Sequence, residues 1–202
     1  MKNTKLLPIL AILICAPAIA AENKGGLFIE PMLTYETGTS EVDFPAPVNS
    51  SDSNVDGFGV GARLGFHIFE SMFVGLDGRY SLLTYKNDDT DIDTDASAYN
   101  FGPVVGFQTP TDLGIRVWAS YIMDGQIDPE KDQGVDLKFK DGSGYRVGAG
   151  IKLSSVSLNL EYQQMHYDKT ELQNAGIFSG STNNVDADNS SYILSVSFPI
   201  TL

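Results

Sequence analysis

The sequence predicts an all-β protein, namely an eight-stranded antiparallel transmembrane up-and-down β-barrel with short turns at one end and four long loops at the other. Three observations predict it. Apolar residues alternate with glycine or polar residues, long connections alternate with short ones, and aromatic residues recur at shared positions along the strands. A period of two is the pattern of a β-strand with one apolar face. Strands of about ten residues cross a bilayer when tilted.

The segment 57–85 shows the alternation most clearly. One row of its first strand is apolar, and the other row is glycine with Arg63 and His67. Alternation alone fits a soluble barrel as well as a membrane barrel, because the two are inverses. Glycine weakens a strand unless space is tight, and space is tight inside an eight-stranded barrel. The glycine-rich row is therefore predicted to face inward and the apolar row to face lipid.

The predicted strands and connections follow in a regular order. The strands are residues 27–37, 57–68, 72–85, 97–108, 113–123, 144–153, 156–163 and 192–200. The long loops are 38–56, 86–96, 124–142 and 168–189, and the short turns are 69–71, 109–112 and 154–155. Even strand number with short periplasmic turns and longer outer loops is typical of bacterial outer-membrane barrels.

Residues 1–21 have the pattern of a cleaved signal peptide. Lys2 and Lys5 precede an apolar run that is too short to span a bilayer, and a small-residue cleavage site follows. The residue before Cys15 is too large for a lipoprotein signal, so we expect cleavage after Ala20 or Ala21 rather than lipidation.

Residues 22–202 are expected to form one barrel domain. This segment has no cysteine, which excludes disulfides and thiolate metal sites. It has no apolar run of 18 residues, so strands must provide the membrane crossing. The whole chain has a net charge of −13, which argues against nucleic-acid binding because phosphate contacts require Lys and Arg clusters.

Two sets of outward aromatic residues predict girdles at the two membrane surfaces. One residue lies near the loop end of every strand, and three lie near the turn end. The sets are Tyr35, Phe58, Tyr80, Tyr99, Tyr121, Tyr145, Tyr162 and Tyr192, and Phe66, Phe107 and Phe198. Amphipathic rings favour the headgroup level of a bilayer. The four loops have net charges of −4, −4, −3 and −3, so the outer mouth is expected to be acidic.

In this arrangement the chain resembles the outer-membrane β-barrel superfamily typified by small eight-stranded barrels, such as the transmembrane domain of outer membrane protein A and outer membrane protein X. The resemblance is one of architecture and spacing over residues 22–202. The last strand alternates from Tyr192 to Phe198 like an assembly signal, although Pro199-Ile200-Thr201-Leu202 follows it. The resemblance implies an integral protein of the bacterial outer membrane, with lipid, lipopolysaccharide and the barrel-assembly machinery as partners.

Charged residues on the inward rows predict a salt-bridge network inside the barrel. The members are Glu30, Arg63, Asp77, Arg79, Arg116, Arg146, Lys152 and Glu161. An eight-stranded interior is only wide enough for side chains, and buried charges must pair. We interpret the network as a structural plug, with a narrow gated ion path as the alternative. Trp118, also inward, is expected to pack in the core next to neighbouring glycines, with a ligand platform as the alternative.

The second loop offers a weak candidate for divalent cations. Asp89, Asp91, Asp93 and Asp95 present hard oxygen ligands at alternate positions, as calcium and magnesium sites do. The glycine and distal glutamate of an EF-hand are absent, so a solvated, repulsive loop is favoured. No other cofactor is predicted. His67 and His166 are expected to be structural, because neither has the neighbours of a nucleophilic site.

The sequence therefore favours a non-enzymatic outer-membrane protein with a structural and surface-interaction role through its acidic loops. A small pore is the alternative. An enzyme that acts on lipid A or peptides is the third hypothesis.

Overall fold

The computed structural model describes residues 26–43, 51–87, 92–111, 113–130, 135–175, 178–182 and 186–202. The predicted signal peptide lies outside these residues. The strands are β1 (Leu27–Asp43), β2 (Ser51–Ile68), β3 (Met72–Asn87), β4 (Ile92–Gln108), β5 (Leu113–Ile122), β6 (Asp124–Pro129), β7 (Val135–Leu153), β8 (Val156–Ala175), β9 (Phe178–Thr182), β10 (Asp186–Ser197) and β11 (Ile200–Thr201). None of the residues described forms a helix that is long and apolar enough to cross a membrane.

The sheet closes on itself, which confirms the predicted eight-stranded antiparallel barrel. Neighbouring positions around the barrel pair antiparallel, and β1 pairs with both β2 and β10, which closes the sheet. β5 and β6 follow one another along a single barrel position, and β10 and β11 do the same. β9 pairs with the outer part of β8. Closure removes the free edges that an open sheet would expose.

Three prolines lie where the ladder is irregular. Proline has no N–H to donate, so a closed sheet accommodates it only at an interruption. The break between β10 and β11 contains Pro199 and lies opposite Pro31, whose carbonyl accepts a hydrogen bond from the Phe198 N–H at 2.9 Å. Pro103 lies beside the break between β5 and β6, where the register against β4 shifts by one residue. This shift is the local bulge that Pro103 requires.

The strands run further into the long connections than their sequence pattern predicts. β1 extends to Asp43 and β2 begins at Ser51, so much of the first predicted loop is β-structure. The other three long connections shorten in the same way. Backbone pairing continues there because the polar side chains point outward into water, while single apolar side chains point inward and pack together.

The polarity of the two faces of the wall is exchanged at the outer girdle. Within the membrane-spanning part, Leu64 points outward and Arg63 is fully buried. Nearer the outer end of the same strand, at its beginning, Asn54 points outward and Val55 is buried. We call the described parts of 37–56, 83–98, 122–144 and 164–190 the outer extension. Its wall faces water, so its apolar side chains must point inward.

Candidate functional site

The barrel interior contains the predicted charged residues as one connected cluster at mid-height. Strand alternation places them on inward rows of β1, β2, β3, β5, β7 and β8, and seven of the eight are almost fully buried: Glu30, Arg63, Asp77, Arg79, Arg116, Arg146 and Glu161. We call these seven residues the charge cluster. All four arginines of the chain belong to it. Acids and bases alternate in space, so each buried charge has a partner.

Glu161 joins opposite walls of the barrel. From β8 it accepts hydrogen bonds from Arg63 at 2.5 Å and from two nitrogens of Arg79, at 2.5 and 2.9 Å. The Trp118 indole N–H also donates to it, at 2.7 Å. The Arg63 guanidinium carbon lies 4.4 Å from the centroid of the Trp118 ring, so cation–π attraction adds to the ion pair. One carboxylate therefore satisfies donors from three other strands.

Asp77 is the second centre of the charge cluster. It accepts hydrogen bonds from Arg63 at 2.7 Å, from Arg79 at 3.0 Å and from Arg146 at 2.8 Å. Arg146 is held further by Asn100, which accepts at 2.6 Å, and by the side-chain oxygen of Gln163. Asn100 and Gln163 lie on inward rows, so their parity was visible in the sequence. Their choice of partner depends on the stagger between distant strands, which the sequence does not show.

Glu30 completes the cluster towards the periplasmic end. Arg116 donates to both of its carboxylate oxygens at 2.7 Å, which is the bidentate geometry of a strong charge-assisted pair. The Ser197 hydroxyl donates to Glu30 at 2.6 Å. Lys152 is the exception among the predicted members. It lies half-buried two residues before the 154–155 turn, and it pairs with no acid among the described residues because the acids lie deeper in the barrel.

An aromatic layer closes the interior on the periplasmic side of the cluster. Phe28, Phe73, Val104 and Trp118 form one buried group, and Phe28 and Phe73 meet edge to face with centroids 5.7 Å apart. Trp118 packs over Gly148, where any side chain would collide with the indole. Gly106 makes room for Phe73 instead of Trp118. This burial is the core packing predicted for Trp118. His67 lies at the edge of the layer, with its Nε2 3.0 Å from Gln108 Nε2.

A second apolar layer closes the interior on the outer side. It lies within the outer extension and consists of Val55, Leu83, Ala96, Ala98, Ile122, Ile127, Met165, Tyr167 and Ala187. We call this group the outer core. Burial raises the pKa of Tyr85 and of Tyr167 well above the ordinary range, and the nearby Glu36 carboxylate adds to both shifts. Sequence reasoning missed the outer core because several of its members, such as Val55, Ile127 and Ala187, stand singly among polar residues.

The outward face of the outer extension is acidic. Glu41 lies opposite Asp52 on β2 and opposite Asp188 on β10. Asp56 is neutralised by Lys86 at 3.0 Å, and this hydrogen bond is the largest cause that raises the pKa of Lys86. Buried arginines leave this face with few cations.

The predicted cation site falls on the connection between β3 and β4. Asp89 and Asp91 lie outside the described residues. Asp93 and Asp95 lie on β4, and Asp95 accepts a hydrogen bond from the Thr84 hydroxyl at 2.8 Å. Among the residues described, no group of three or more His, Cys, Asp and Glu side chains is placed to hold a metal ion. The four-aspartate site, for calcium or magnesium, stays a prediction.

Comparison with known proteins identifies the family. The sequence matches the model described as "Outer membrane protein beta-barrel domain" over residues 7–198. The chain belongs to this family. It is therefore an integral protein of the bacterial outer membrane, as its sequence pattern predicts. A search of curated proteins found no match.

Two solved structures show that the fold recurs in outer-membrane barrels at low sequence identity. OprG from Pseudomonas aeruginosa is 11% identical and aligns with a TM-score of 0.51 over 88% of this chain and 97% of its own. The outer membrane protease OmpT from Escherichia coli has the same identity, coverage and TM-score. At this identity the likeness concerns the fold alone. Because one of these neighbours is a protease, the fold alone does not decide whether a barrel is an enzyme.

Proposed function

We propose that the protein is a closed barrel whose outer extension presents a rigid acidic surface to cationic partners outside the cell. The observation that carries this proposal is the outer core, which supports β-structure beyond the outer girdle. Backbone pairing and a packed interior hold the outward carboxylates in fixed positions. A preorganised charged surface loses little conformational entropy when a partner binds.

The arrangement of charge supports a binding role. Glu41 is flanked across the sheet by Asp52 and Asp188, and like charges directly opposite one another destabilise a sheet. All four arginines lie inside the barrel and none balances these acids. An acidic face of this kind attracts cationic partners and raises their rate of association.

The packed interior supports a closed barrel over a pore, which is the alternative function. A path along the axis would meet the aromatic layer, the charge cluster and the outer core in turn. Opening it would break several charge-assisted hydrogen bonds at once, and each leaves a buried charge unpaired.

The surroundings of the histidines favour a non-enzymatic role over catalysis. His166 Nδ1 lies 2.9 Å from Asp188 and its Nε2 lies 3.2 Å from Asp168. A general base needs one ring nitrogen directed at the group that it deprotonates, and both nitrogens face carboxylates here. His67 faces the interior near the periplasmic end, next to Gln108.

The test is binding of a fluorescent decalysine peptide to the protein in nanodiscs, followed by anisotropy. We expect binding at low salt that weakens as salt rises, because exposed charges are screened. The double substitution Glu41→Gln and Asp52→Asn should weaken it about three- to tenfold, from the usual contribution of exposed ion pairs. Glu70→Gln, in the periplasmic turn, is the control and should change nothing. Equal binding by the double variant and the wild type would refute the proposal.

A further inference from the structure

His166 lies between two carboxylates on the outward face of the outer extension. It stands on β8, directly opposite Asp188 on β10 and Ser143 on β7. Its Nδ1 is 2.9 Å from an oxygen of Asp188, and its Nε2 is 3.2 Å from an oxygen of Asp168, two residues further along β8. The three side chains are 43–63% exposed, so protons exchange freely with the medium.

This geometry requires a particular protonation state of the ring. Ionised carboxylates only accept hydrogen bonds, so each needs an N–H. A neutral imidazole has one N–H and one lone pair, so it can serve only one of the two. The imidazolium has two N–H groups and serves both. When the ring loses its proton, a lone pair faces a carboxylate oxygen and that contact becomes repulsive.

We propose that His166, Asp168 and Asp188 form a proton-operated clasp at the outer end of the ladder between β8 and β10. The clasp is closed when the ring is protonated and both carboxylates are ionised. It opens as pH rises through the titration of the ring. The closed state therefore lies on the acidic side of the histidine titration.

The charges around the clasp are of both signs and sum to zero. Those on the strands packed against it are Lys169 on β8, Asp141 and Lys140 on β7, and Glu41 on β1. Lys169 pairs with Asp141 on β7. Tyr145 of the outer girdle donates to Gln164 at 2.7 Å, two residues before His166 on β8. Closing the clasp therefore removes one unit of negative charge from the row that contains Glu41 and Asp188.

The clasp is independent of whether the acidic face binds a partner, so its test uses the protein alone. The first measurement is nitrogen NMR of histidine-labelled protein in nanodiscs. The chain has two histidines, and His166→Asn or His166→Gln removes one set of signals, which assigns the rest. We expect His166 to carry protons on both nitrogens at about pH 5.5. Its titration midpoint should move to lower pH in Asp168→Asn and in Asp188→Asn.

Hydrogen exchange then reports whether the ring joins the strands. Protection factors, which are corrected for the intrinsic effect of pH, are compared at pH 5.5 and 8 for amides of β8 and β10 around the His166–Asp188 pair. We expect about two- to fivefold more protection at the lower pH, the contribution of an exposed ion pair. This difference should vanish in His166→Gln, while the control Asp56→Asn keeps it. A pH effect that survives His166→Gln, or a midpoint unmoved by both aspartate variants, would overturn the clasp.

Discussion

The membrane-spanning part and the outer extension are built from the same strands, yet they are packed in opposite ways. Below the outer girdle, the wall is apolar outside and charged inside, as at Leu64 and Arg63. Above it, the wall is polar outside and apolar inside, as at Asn54 and Val55. Apart from the register shift between β5 and β6, the backbone ladder continues across this boundary. The medium around the wall therefore decides which row of a strand is apolar, and the boundary between the two patterns marks the membrane surface.

The two interiors also derive stability from different interactions. The charge cluster consists of paired ions. An intact buried pair adds little to stability, but removing one partner lowers stability strongly because a buried charge is left unpaired. The outer core consists of apolar contacts. Truncating one of its side chains lowers the free energy of unfolding, because apolar surface is no longer buried and a cavity is left behind. Substitutions at matched positions should separate the two.

The largest effect is expected for Glu161→Gln. This change keeps the shape of the side chain but removes the charge that Arg63 and Arg79 share, leaving buried cations under-neutralised. Removal of one partner of a buried ion pair costs about 3–5 kcal/mol. Urea unfolding of the protein in lipid vesicles measures this loss of stability. Fluorescence of the single tryptophan, whose indole N–H donates a hydrogen bond to Glu161, reports on changes at the site.

The control for Glu161→Gln is Glu41→Gln, the same change on the outward face. It should stay within about 0.5 kcal/mol of the wild type. Equal losses for the two variants would mean that the charge cluster does not stabilise the barrel through its pairing.

A second contrast compares two neighbouring leucines at the boundary. Leu83 is 2% exposed in the outer core, whereas Leu82 is 61% exposed on the outward face. Leu83→Ala should cost about 2–5 kcal/mol as a core truncation, and Leu82→Ala should cost less because lipid fills its place. Hydrogen exchange of the amides in the outer extension measures both. If Leu82→Ala costs as much as Leu83→Ala, the outer core is not a packed interior.

The smallest contrast places the same new charge on the same strand and face, on either side of the girdle. Leu64→Arg, in the membrane-spanning part, should cost about 2–4 kcal/mol. Asn54→Arg, in water, should stay within about 0.5 kcal/mol. Urea unfolding in vesicles checks both variants. A comparable loss at Asn54 would show that lipid covers the outer extension and would move the membrane boundary.

Much of the fold follows from a period of two. Rows such as Arg63 against Leu64 identify the strands and their faces, because a continuous apolar face against lipid leaves a strong pattern. The outer extension leaves only a weak sequence pattern. Val55 stands alone among Ser, Asp and Asn, and its burial depends on Leu83 and Ile127 from other strands. The bulge after Ile122 is accompanied by Pro103 on the neighbouring strand, but nothing in β5 itself marks the shift of register there.

The sequence predicts which residues belong to the candidate site but not which of them pair with one another. Parity places Glu30, Asp77 and Glu161 inside, and an eight-stranded interior forces buried charges to pair. Which arginine meets which acid depends on the stagger of strands that are distant in sequence. Glu161 and Arg63, for example, are 98 residues apart. The position of His166 between Asp168 and Asp188 likewise required the register of β8 against β10.

Ion conductance across a planar lipid bilayer tests the central claim, that three interior layers close the barrel. The purified protein is first shown to be folded by a shift in gel mobility between unboiled and boiled samples. The closed barrel described above predicts no stable channel steps from wild-type protein over a range of voltages and salt concentrations. Steady, reproducible steps from the folded wild type would contradict the claim, because they would require an aqueous path through the aromatic layer, the charge cluster and the outer core.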